Sequence, residues 1–185
     1  MIKNLWTLPE SVEIDGKSYA VRWDFREILQ IFSYLSDPDL PEVFRWKVAM
    51  ALFYREEIPA YGAEEAFGEF IRGGEAPQEK AAPKLYDWEQ DGPVILAEVN
   101  KVAGRELRRE KAVHWWTFLG WFHGIGEGRF SFLVGIRDKL RRGERLSDYE
   151  ERFYRENQSL VELKSRYSRR DLQQKEALLK LLDGK

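Results

Sequence analysis

Hydrophobic and polar positions first alternate with a period of two. Ser11-Val12-Glu13-Ile14 and Lys17-Ser18-Tyr19-Ala20-Val21 flank Asp15-Gly16, the dipeptide of a two-residue type I′ hairpin loop. Pairing across that turn sets Ile14 opposite Lys17 and Val12 opposite Tyr19. It gathers Val12, Ile14, Tyr19 and Val21 on one face and leaves Glu13, Ser18 and Arg22 mostly on the other. A lone hairpin is marginal in water, so that face must pack on the helices that follow.

From Asp24 the period becomes helical. Phe25, Ile28, Leu29, Phe32 and Leu35 form one stripe, and Asp24-Phe25-Arg26-Glu27 reads as a capping box for a helix over residues 24–35. A second helix starts near Pro41, a favoured first-turn residue, and stops at Ile58-Pro59. Its Val43, Phe44, Trp46, Val48, Met50, Leu52 and Phe53 are apolar on most sides, the mark of a central helix. A short helix follows over Ala63–Ile71. Gly73 to Pro83 reads as a loop and the best candidate for a mobile segment. Asp87-Trp88-Glu89-Gln90-Asp91 opens the next helix, to about Ala103, in which Pro93 marks either a kink or the true first turn.

Glu110 to His123 is the most apolar predicted helix, and Gly124 to Gly128 ends it. Another helix spans about 129–141. Ser147-Asp148-Tyr149-Glu150 is a capping box opening a long final helix, with Leu146, Tyr149, Phe153, Leu160, Leu163 and Tyr167 as a heptad-like seam broken at Glu156. After Arg170 the pattern weakens, although Leu178, Leu179, Leu181 and Leu182 can form an apolar C-terminal turn. These elements predict a mainly α-helical single domain over residues 1–170, an N-terminal hairpin at 8–23, a long C-terminal helix and a weakly patterned tail at 171–185.

Composition narrows the function. The chain has 185 residues, 43% hydrophobic and 14% aromatic, enough for a real core and incompatible with wholesale disorder. It has no Cys, which removes disulfides, cysteine zinc sites and thiol catalysis. No apolar run reaches the ~20 residues of a membrane span, and Met1 to Trp6 lacks a signal-peptide stretch. The expectation is a soluble cytoplasmic protein. A net charge of -2 disfavours a globally basic nucleic-acid binder. The charge is nevertheless polarised. Residues 56–100 carry 11 acidic and three basic side chains, and residues 129–170 carry 12 basic and seven acidic. Two solvated faces or a head-to-tail self-association would both fit.

Candidate chemistry is sparse. His114 and His123 are nine apart, on opposite sides of a straight helix at about 100° per residue, so they share no metal. Gly124-Ile125-Gly126-Glu127-Gly128 follows a helix where a phosphate loop needs a strand, and reads as a glycine C-cap and turn. Asp87, Glu89 and Asp91 offer carboxylates for a cation or acid–base work, or simply suit a helix N-terminus. Arg137, Lys139, Arg141, Arg142 and Arg145, followed by Arg166, Arg169 and Arg170, offer a phosphate-binding region or a solvated face. The densest aromatic site is His114, Trp115, Trp116 and Phe118, with Trp121 and Phe122. It is either core or a groove for an apolar partner helix. These six residues are the candidate partner-binding set, and no catalytic, metal or cofactor residues are expected.

Three blocks carry a family resemblance. Leu8-Pro9-x-Ser11-Val12-x-Ile14-x-Gly16-Lys17-x-Tyr19 with Asp24-Phe25-Arg26 resembles the opening of the bacteriophage "gene product fifteen" family. Asp87 to Asp91 resembles the aromatic-acidic start of its middle helix. His114-Trp115-Trp116-x-Phe118, then Gly124 and the Arg137-bearing helix, resembles its most recognisable motif. The resemblance runs from Leu8 to Tyr167, with Pro93 and the Ala60 to Lys84 stretch departing from it. It implies a non-enzymatic tail assembly chaperone of long-tailed phages and prophages, encoded next to the tape-measure gene. Such a protein binds the apolar helices of the tape-measure protein, and with it a companion tail assembly chaperone or further copies of itself. It works in the host cytoplasm and is not expected in the mature virion. A structural tail or connector component is the alternative, and a nucleic-acid-binding phage regulator a weaker one.

Overall fold

The Asp15-Gly16 turn forms as its sequence dictates, with φ of 50° and 78°, the two left-handed conformations of a type I′ turn. The computed structural model describes residues 6–59, 61–77 and 83–164, together with Arg169 and Gln173. It pairs β1 (Ser11–Ile14) antiparallel to β2 (Lys17–Ala20) in the expected register, Val12 opposite Tyr19 and Ile14 opposite Lys17. Val12 and Val21 are buried. The strand direction is extended past β2. Arg22 N–H donates to the Phe53 carbonyl and Arg55 N–H to that of Ala20, which supplies the packing a lone hairpin lacks.

Helix α1 (Phe25–Leu35) buries Phe25, Ile28 and Ile31 and is capped by Asp24, whose side chain accepts from Arg26 N–H. The capping box is incomplete, because Glu27 pairs instead with Arg22 and Arg55 at 3.3 and 4.0 Å. Helix α2 (Glu42–Phe53) corrects the expectation of a central helix. It buries only Ala49, Met50 and Phe53, while Val43 is 69% and Phe44 56% exposed. Its apolar residues are spread around the axis, and α1 and α3 (Ala63–Ile71) cover only part of that circumference. Pro93 lies in the first turn of α4 (Gly92–Ala103), where its missing N–H has no partner to lose. Part of the expected Gly73 to Pro83 loop, residues 78–82, lies outside the described residues.

The expected helix from Glu110 is shorter. A 3-10 turn at Leu107–Arg109 leads through extended backbone to α5 (Trp115–His123). The reason is a backbone clasp. Phe25 N–H donates to the Val113 carbonyl and Trp115 N–H to that of Trp23, at 3.0 and 2.7 Å. Groups engaged across the molecule cannot close helical turns. Helix α5 is the central one, packed between α1 and α4. The long final helix is also corrected. After α6 (Arg129–Arg142), α7 (Asp148–Glu156) has the expected Ser147–Glu150 capping box, then breaks at Asn157 before α8 (Gln158–Val161). Asn157 has φ -129° and ψ 34°, and its Nδ2 donates back to the Phe153 carbonyl. The break lets Val161 fold onto Leu133 and Ile136 in a second small core. The heptad-like seam therefore ends early. Leu163 lies past α8, and Tyr167 and residues 174–185 lie outside the described residues.

The fold is mainly α with a minor two-stranded hairpin. Among the described residues no helix is long and apolar enough to cross a membrane.

Candidate functional site

His114 sits at the N-cap of α5. Its Nδ1 accepts from Trp116 N–H at 3.0 Å, so the ring proton belongs on Nε2, which faces the Pro9 carbonyl at 2.9 Å. The ring stacks on Trp23, centroid to centroid 5.7 Å. Burial holds its pKa below the ordinary value, against the opposing pull of the Pro9 carbonyl and Glu10. The folded chain thus favours neutral His114. A depressed folded-state pKa gives stability that is full above the unfolded value of about 6.5 and is lost as pH falls through the depressed one. The urea midpoint is expected to fall on acidification below about pH 6.5. His114→Asn keeps a capping acceptor without the titrating ring and should flatten that fall. An unchanged slope would assign it to other groups.

The aromatic residues around His114 are largely interior. Trp115 is 1% exposed and Phe118 2%, and His114 and Phe122 are also buried. Trp115 Nε1 donates to the Ile71 carbonyl at 2.9 Å and Trp116 Nε1 to that of Phe70 at 2.8 Å. Phe118 stacks on Phe25 at 4.6 Å, and Trp88 lies 4.8 Å from Phe122. Of the six candidate residues, Trp116 and Trp121 alone are half-buried. Trp121 lies under the Arg105 guanidinium at 5.3 Å. A partner could reach the others only by opening the core. Gly74, at φ 81°, closes on Trp116. A Cβ there would lie 3.1 Å from the indole Cη2. Gly74→Ala combines that contact with left-handed strain and is expected to lower unfolding free energy by about 1–2 kcal/mol. An unchanged denaturation midpoint would mean that the segment after α3 moves aside freely.

The polar clusters are structural in the same way. Asp24 Oδ2 accepts from Val113 N–H at 2.8 Å, and Arg26 donates to the Leu107 and Glu110 carbonyls, both at 2.8 Å. Asp87 folds the turn before α4 by accepting from Glu89 and Gln90 N–H. Asp91 meets Arg137 in a buried bidentate pair, at 2.7 and 2.9 Å. The remaining Arg137 donors reach the carbonyls of Val161, Leu85 and Leu160 at 2.7, 3.0 and 2.8 Å. All five guanidinium N–H groups are thereby used. The expected acidic cluster and basic region thus meet at one point, a pairing that spacing could not reveal. Elsewhere in the basic region, Lys139 pairs with Glu150, and Arg141 and Arg142 with Asp138. The Lys139 ammonium and Ser147 hold Glu150 well down, at about 2. Arg166 and Arg170 lie outside the described residues. His114 and His123 stand at opposite ends of α5, and no group of carboxylates and imidazoles among the described residues could hold a metal ion.

A different surface gathers exposed apolar side chains, Val43 and Tyr61 among them, while Trp6, Leu8 and Tyr149 are exposed elsewhere. Between α2 and α3 lies a groove of about 1050 Å³ lined by Val43, Trp46, Met50, Ile58 and Tyr61, with Glu42, Glu64, Glu65 and Lys47 on its rim. Tyr61 is 83% exposed. The one sequence signal for it was an α2 too apolar around its axis for its neighbours to cover.

A family model described as "Bacteriophage Gp15 protein" matches residues 6–163. No curated protein and no solved structure matches the chain.

Proposed function

The chain belongs to the bacteriophage Gp15 protein family, which places it among phage structural or assembly proteins, and from that premise we propose that it is a tail assembly chaperone. It is non-enzymatic on this reading and takes no cofactor. It holds apolar helices of the tape-measure protein until tail-tube subunits enclose them, in the host cytoplasm. The observation that carries the reading is the α2–α3 groove, an exposed apolar trough with polar flanks. A helix-in-groove contact suits a client with many similar apolar stretches, and the loose fit of an open trough tolerates variation among them. The residues a reaction would draw on, His114, Asp87 and Asp91, are engaged in structural hydrogen bonds, which fits a binding protein.

Tape-measure segments expressed alone are expected to be insoluble and to become soluble on co-expression with this chain. Segments that stay insoluble would overturn the proposal. Mass spectrometry of purified particles separates the structural alternative. A chaperone is missing from them, whereas stoichiometric recovery would make the chain a tail component.

A further inference from the structure

The groove between α2 and α3 is apolar along its floor and acidic at its rim, and the rim constrains what it can hold. Glu42, Val43, Trp46, Lys47 and Met50 line it from α2. At about 100° per residue, Val43, Trp46 and Met50 form one stripe, bordered by Glu42 and Lys47. Glu64 and Glu65 line it from the first turn of α3. The hydroxyl of Tyr54, at the C-terminal end of α2, donates to the Ala63 carbonyl at 2.9 Å. The first turn of α3 therefore lies by that end of α2, whereas Glu42 begins the other. Carboxylates stand at both ends of the trough, separated by about two to three turns of α2.

Glu42, Glu64 and Glu65 are exposed, and among the described residues none of them is ion-paired. Other glutamates do pair: Glu27 with Arg22, Glu98 with Lys101 and Glu150 with Lys139. Lys47 is the one cation among the described lining residues. From Glu56 to Glu75 the chain adds Glu57 and Glu69, and Arg72 is the one basic residue there, so the field around the trough is negative. A helix laid on Val43, Trp46 and Met50 brings its own flanks to these carboxylates. Acidic flanks meet like charge, and cationic flanks supply what the rim lacks. We propose that the groove selects an amphipathic helix whose apolar stripe is flanked by lysine or arginine about two to three turns apart, and turns away one with acidic flanks. The inference rests on the reading of the groove as the client site and adds the charge of the client. Each rim contact is a surface pair of small worth, so the preference is a sum over three carboxylates and falls with salt. The apolar floor supplies the affinity and the rim supplies the choice.

The probes are two synthetic helices of about 20 residues with the same leucine stripe, one flanked by lysine and one by glutamate. Each is titrated calorimetrically into the full-length chain. At about 0.05 M salt the lysine-flanked helix is expected to bind about tenfold more tightly, and at about 0.5 M the difference should shrink to about threefold or less. Combining Glu42→Gln, Glu64→Gln and Glu65→Gln should narrow it as far at low salt, with the denaturation midpoint unchanged. Val43→Ser with Tyr61→Ser leaves the rim charge intact and should weaken both helices alike. Equal affinities that both fall in that serine variant would overturn the charge preference and leave the groove a helix site. A lysine advantage that survives the three glutamine substitutions would place the selecting carboxylates elsewhere and also overturn the inference. Binding of neither helix would overturn it together with the groove reading. A free chain that is dimeric by light scattering, and monomeric with Val43→Ser and Tyr61→Ser, would give the groove to a second copy and overturn it as well.

Discussion

Arg137→Ala is expected to lower the unfolding free energy by about 3–5 kcal/mol, the range for breaking a buried ion pair and leaving one charge behind. Asp91 is fully buried and would lose both guanidinium contacts. Three carbonyls, from Leu85, Leu160 and Val161, would lose their donor at once. Those groups tie α6 to α8 and to the turn before α4, so the damage reaches three segments. Arg137→Lys should recover little, because one ammonium cannot reproduce a planar fork spread over these acceptors. Urea denaturation measures both variants. A loss below about 1 kcal/mol for Arg137→Ala would mean that water reaches Asp91 and that the pair is not the fastening described.

The groove variant Val43→Asp with Tyr61→Asp is expected to abolish solubilisation of tape-measure segments while shifting stability by no more than about 0.5 kcal/mol per site, as for exposed positions. Two carboxylates on the apolar lining would have to be desolvated by any seated helix. Trp115→Ala should behave oppositely. It removes a fully buried indole and its bond to the Ile71 carbonyl, and about 3–5 kcal/mol with it, so solubilisation falls only as the fold does. If the groove variant keeps full activity, the client binds elsewhere, and the half-buried edges of Trp116 and Trp121 become the next surface to alter.

Local patterns were legible in the sequence. The Asp15-Gly16 turn fixed the register of the hairpin, Ser147 and Glu150 closed their box, and the third helix has the bounds its spacing predicted. What spacing could not supply were partners distant in the chain. The expected helix from Glu110 lost its first turn to bonds with Trp23 and Phe25. The final helix broke at Asn157 because Val161 had a pocket on Leu133 and Ile136 to fill. The candidate site shows the same limit. His114, Trp115 and Phe118 stood out as aromatic density, and density is equally the signature of a core. The segments on which the resemblance was read, Asp24-Phe25-Arg26, Asp87 to Asp91, His114-Trp115-Trp116 and Arg137, hold the scaffold together through bonds across the molecule. The exposed groove gave only a faint signal, since an apolar residue on α2 reads alike whether a neighbour covers it or not.

The most direct test is co-expression with the tape-measure protein of the same phage, followed by size-exclusion chromatography with light scattering. A soluble complex holding several copies of this chain per tape-measure chain is the predicted result. A tape-measure protein that remains in the pellet, beside a free chain eluting at its own 21.9 kDa, would contradict the account.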